Sequence, residues 1–118
     1  MYELGLKEVL KKYGIIYCVV AHLDSELVET YGDKGGLAYQ DLVKTHFYNF
    51  ETIQALNNFL ADQPKPKLFR QGEVASIMCK PKQDTIVGLF YHEQREFPEY
   101  FKWAKEVDRE IETAWNNQ

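Results

Sequence analysis

The sequence predicts an α+β fold: a single five-stranded antiparallel sheet with helices on both faces, in the order α-β-β-α-β-β-β-α. Three observations carry this. Residues 15–23 and 84–92 are apolar at both odd and even positions, the mark of strands covered on both faces and therefore interior to a sheet. Between them, residues 37–63 carry a helical repeat too broad for one contact. Tyr39, Val43, His46, Phe50, Ile53, Asn57 and Leu60 recur at alternating spacings of four and three, with Leu42, Phe47, Leu56 and Phe59 beside them. Such a helix packs on a sheet and has apolar surface left over.

The elements follow in order. Residues 4–13 read as a short amphipathic helix, with Leu6, Val9, Leu10 and Tyr13 on one side, lysines on the other and Gly14 as its stop. The first interior strand comes next, then a turn at Asp24-Ser25 and a more exposed return strand over residues 27–31. Gly32, Gly35 and Gly36 lead into the long helix. That helix either runs unbroken or breaks near Tyr48–Phe50, where Asn49 is a natural cap. Pro64 and Pro66 end it. Three strands follow, over residues 67–71, 73–80 and 84–92, with turns at Gly72 and at residues 81–83. The first of these is short and crowded by Pro64, Lys65, Pro66, Lys67 and Arg70, which is edge-strand composition. Pro98 opens a last helix whose stripe is Phe97, Phe101, Ala104, Val107, Ile111, Ala114 and Trp115.

At 118 residues, 45% of them hydrophobic, the chain suits one domain over residues 1–118 with a core of its own. Seven Phe, eight Tyr and two Trp make that core bulky. The net charge of −4 argues against nucleic-acid binding. The exception is residues 64–82, with five bases and one acid. That segment reads equally as edge protection and as an electropositive docking surface. No signal-peptide pattern and no membrane-length apolar run is present, so the expected location is cytoplasmic, with no membrane partner. Cys18 and Cys79 sit in strand-like apolar runs and are expected to be buried, reduced thiols.

Candidate chemistry is sparse. His22, Asp24 and Ser25 have the residue types of a hydrolytic triad, but three neighbours at a strand end cannot place a base between nucleophile and carboxylate. Cys79 alternates with Ala75 and Ile77, so its thiol should be buried and inert. His22, His46 and His92 lack any usual metal-ligand spacing, and His46 is expected to pack on the helix stripe. Gly32-Asp33-Lys34-Gly35-Gly36 lacks the ending of a phosphate loop and reads as a connector. No catalytic, cofactor or metal site is predicted, and the protein is not expected to be an enzyme.

The element order, together with Val19-Val20-Ala21-His22-Leu23-Asp24-Ser25-Glu26-Leu27-Val28, resembles the roadblock family of dynein light chains. Val74-Ala75-Ser76-Ile77-Met78 followed by Ile86-Val87-Gly88-Leu89-Phe90 adds a second likeness. The chain departs from the pattern at Ser25-Glu26, where a glycine is common, and in its aromatic rather than alanine-rich long helix. Longin and profilin-like domains share much of the layout. The resemblance implies a non-catalytic scaffold that dimerises through the long helix and third strand, with a Ras-like small GTPase as partner class. The candidate interface residues are Phe47, Phe50 and Gln54 on the helix and Leu68, Phe69 and Arg70 on the strand, facing a second copy as a homodimer. The rival reading is a small-ligand sensing domain with a pocket between sheet and helices.

Overall fold

The computed structural model describes residues 2–117. Its elements are α1 (Tyr2–Tyr13), β1 (Tyr17–His22), β2 (Leu27–Gly32), α2 (Asp41–Phe47), α3 (Phe50–Leu60), β3 (Lys67–Gln71), β4 (Val74–Lys82), β5 (Thr85–His92) and α4 (Glu99–Asn116). The five strands form one antiparallel sheet in the order β2-β1-β5-β4-β3. The strands that are apolar on both faces, β1 and β5, lie inside it, and β3 is an edge strand, as expected.

The period-two side-chain alternation divides the sheet between two helical layers. Cys18, Val20, Ile77, Cys79, Val87 and Leu89 face α1 and α4, where they meet Leu6, Val9, Val107, Ile111 and Trp115. Val19, Ala21, Met78, Ile86 and Phe90 face α2 and α3, where they meet Leu42, Val43, Ile53, Leu56 and Leu60.

The long helix is shorter than expected and broken. Asn49 is extended (φ −150°, ψ −179°) and its side chain accepts the Thr52 N–H at 2.9 Å, while the Thr52 hydroxyl accepts the Asn49 N–H at 3.1 Å. This reciprocal cap satisfies the free amides that open α3 and turns the chain between α2 and α3. Residues 37–40, expected to be helical, are not. The Ala38 N–H donates to His92 Nε2 at 3.0 Å. The Tyr39 hydroxyl donates to the Gln71 carbonyl and accepts the Glu73 N–H at 2.9 Å. These bonds to the sheet hold Tyr39 off the helical stripe. Gly72 takes φ +59° under this ring, where a Cβ would strike the Tyr39 hydroxyl, so the turn requires glycine.

Beyond α3, Lys65 Nζ donates to the Leu60 carbonyl at 2.6 Å and to the Gln63 carbonyl at 3.0 Å. A cation there satisfies terminal carbonyls and suits the helix dipole. In α4 the buried face is Ala104, Val107, Ile111 and Trp115. Phe97, expected on that stripe, precedes the helix and is 60% exposed.

Candidate partner surface

The triad-like residues do not meet as one. His22 Nε2 lies 2.6 Å from Glu29 Oε1 and 3.2 Å from the Tyr2 hydroxyl, and Ser25 is exposed in the turn. Glu29 also accepts from the hydroxyls of Tyr2 and Tyr31. These donors, Tyr2 first, hold its carboxyl below the usual range, and burial with the nearby Glu29 charge pushes Tyr31 up to about 12. This cluster ties the start of α1 to the β1–β2 hairpin. It is not visible in the sequence, where Glu29 looks like a polar interruption of a strand. The one available signal is hairpin register, which places Val20 opposite Glu29 and His22 opposite Leu27, so that His22 and Glu29 share a face.

Cys79 and Cys18 are buried and free. Burial raises both thiols, and the Asp108 charge adds to the effect at Cys79, so neither is poised as a nucleophile. The three histidines are separated: His92 serves Ala38, and His46 lies against Phe69 with ring centroids 4.4 Å apart and planes tilted by 49°. Among the described residues, no three His, Cys, Asp or Glu side chains converge as a metal site would require. In the glycine-rich connector, Asp33 accepts the Gly35 N–H at 2.9 Å, closing a 3₁₀ turn over Lys34–Gly36.

Most bases of the 64–82 segment are engaged within the chain. Lys65 caps α3, and Lys80 donates to Asn57 Oδ1 at 2.7 Å. Lys67 donates to Gln63 Oε1 at 3.3 Å and lies over the Phe59 ring. Arg70 folds back along the edge, its Nε donating to the Gly72 carbonyl at 2.9 Å and its guanidinium to the Glu93 carbonyl at 3.1 Å.

The surplus apolar surface collects beside β3. Thr45 and His46 of α2, Thr52, Ala55, Leu56 and Phe59 of α3, and Phe69 of β3 line an open groove of about 320 Å³. Phe59 is 46% exposed in it. Burial lowers the pKa of His46, which favours its neutral form in this apolar setting. The structure distributes the six candidate interface residues unevenly. Phe69 is in the groove, its ring 6.0 Å from that of Phe59, and Leu68 points to the other sheet face, towards the α1 and α4 layer. Gln54 and Arg70 are exposed and Phe50 is half-buried. Phe47 turns its ring inward, edge-on to Phe90 at 6.0 Å. Sequence reasoning passed over Ala55, Thr45 and Thr52, small residues whose importance lies in the room they leave.

No helix among the described residues is long and apolar enough to cross a membrane. No protein-family model matches the sequence, and no curated protein matches it. Solved structures do match. MglC from Myxococcus xanthus superposes with a TM-score of 0.58 at 14% identity, over 95% of this chain and 97% of that one. The gliding protein MglB from Thermus thermophilus gives 0.58 at 12% identity, over 99% and 90%. MglB of Myxococcus xanthus gives 0.55 at 9% identity, over 94% and 91%. At these identities the likeness is one of fold, and the fold is roadblock-like.

Proposed function

We propose that this protein is a non-catalytic, dimerising scaffold or regulatory protein of the roadblock type, acting with a Ras-like small GTPase. The observation that carries the reading is the edge of β3. Its outer side has no partner strand among the described residues, and the apolar groove of α2 and α3 runs beside it. A second copy paired strand to strand would satisfy the free backbone groups and close the groove at once. Phe69 would anchor the contact, with Leu68 and Arg70 from β3 and Phe47 supporting from beneath; Phe50 and Gln54, which share a hollow with Leu23 on the other flank of α3, would extend it across that helix. Like charges near a two-fold axis would oppose this, but Lys67 and Arg70 are already drawn back onto their own chain. The GTPase is the partner class implied by the family resemblance, which the shared fold with MglB and MglC supports.

Sedimentation at micromolar concentration tests the dimer, which should run near twice the chain mass of 13.9 kDa and bury about 1,600 Å² or more. Phe69→Asp should split it, because the new charge would be buried without a partner. Ala55→Lys, at an exposed position in the groove, should weaken it without disturbing the fold. A folded chain that stays monomeric at high concentration would overturn the homodimer and leave the groove to an unlike chain or an apolar ligand.

A further inference from the structure

The opposite edge of the sheet is built differently. Among the described residues β2 is hydrogen-bonded only to β1, so its outward row of N–H and C=O groups is open. Edge strands ordinarily carry prolines, lysines or projecting charges that block further pairing, and β3 shows them. β2 has neither Pro nor Lys. Its single charged residue, Glu29, is drawn inward by His22, Tyr2 and Tyr31. What remains outside is apolar or small: Leu27 is 54% and Val28 42% exposed. Alongside the strand, between it and α1, lies a groove of about 450 Å³ with Leu10, Ile15 and Tyr31 in its lining. Lys7 and Lys11 of α1, one helical turn apart and exposed, stand on its rim. Neither is ion-paired among the described residues, although Lys12 beside them pairs with Glu110 at 2.9 Å.

We infer that β2 and this groove bind an extended acidic segment of another protein by strand addition. The peptide backbone pairs with the free edge of β2. Alternate side chains then enter the groove, where β-branched or aliphatic groups meet Leu10, Ile15 and Tyr31. Carboxylates among them reach Lys7 and Lys11. A protein of net charge −4 that keeps two unpaired lysines beside an open strand offers a local complement to acid. The other occupant to weigh is a second copy, which would present Asp24 and Glu26 to the lysines. Copies joined through β2 as well as β3 would extend the sheet without closing, so the unlike chain is preferred. That preference rests on the β3 dimer; strand addition itself does not.

The test uses a capped synthetic peptide with threonine at every second position and valine and glutamate taking turns at the positions between, so that one face carries both, titrated into the full chain at low salt. Binding should weaken as salt rises, and amides of β2 should gain protection from hydrogen exchange. Lys7→Glu together with Lys11→Glu should lower affinity about tenfold or more, and the same peptide with lysine in place of each glutamate should recover binding to that variant. No binding, binding without protection of β2 amides, or indifference to the charge reversal would each overturn the proposal. So would growth in mass past a dimer without peptide, which would assign the edge to a second copy. Sedimentation of the same samples reports the β3 dimer separately, since Phe69→Asp should leave peptide binding intact.

Discussion

The ring of Phe47 fills the space that a side chain at Gly88 would occupy: a Cβ built on Gly88 lies 2.7 Å from Phe47 Cε2 and 2.8 Å from Cζ. Gly88 is in the central strand of the sheet, where glycine lowers strand propensity. Its absence of a side chain lets α2 settle close to Phe90.

Gly88→Ala should therefore cost about 1–3 kcal/mol, the usual penalty of overpacking, as the Phe47 ring is pushed out. The cost should shrink in a Phe47→Leu background, because the two positions share one space. Chemical denaturation of the two single variants and the double variant measures the coupling. Equal costs in both backgrounds would show that the ring does not carry the strain.

Asn49→Ala should cost about 1 kcal/mol by removing the side-chain half of the cap on α3. Because the cap sets the turn between α2 and α3, hydrogen exchange should accelerate first in the opening turn of α3. An Asn49→Asp variant should retain the cap and much of the stability.

Trp115 is 2% exposed and stacked on Tyr2, ring centroids 4.2 Å apart and planes 9° from parallel. It joins the end of α4 to the start of α1. Trp115→Ala should cost roughly 3–5 kcal/mol, a large share of a small domain's stability. Thermal melting within a degree or two of the parent would refute this anchoring role.

Asp108 lies on the buried side of α4 near Cys79, and burial raises its pKa in the folded state. The unfolded chain releases that proton more readily. The group thus favours the fold at low pH, and this contribution is lost as pH rises through its folded-state pKa. Asp108→Asn should stabilise the protein at neutral pH, with the advantage fading in acid. Denaturation curves across that range give the sign directly; a variant less stable than the parent at neutral pH would mean that the charge is compensated.

Much of this protein was legible as sequence because periodicity reports which faces are apolar. Two-faced apolarity put β1 and β5 inside the sheet, proline and lysine marked β3 as an edge, and alternation buried Cys79 with Ala75 and Ile77. Asn49 advertised a cap without showing that the helix would stop for it. What the sequence left open involves partners far apart in the chain. Tyr39 has helical spacing, yet its hydroxyl bonds to the β3–β4 turn, 32 residues on to Gln71 and 34 to Glu73. Glu29 looks solvated, but α1 delivers Tyr2 to it across 27 residues. The groove beside β3 is shared by α2, α3 and β3, and the groove beside β2 by α1 and the end of that strand. Local pattern determines what each segment must bury; only packing in three dimensions decides which distant segment covers it and which edge stays open.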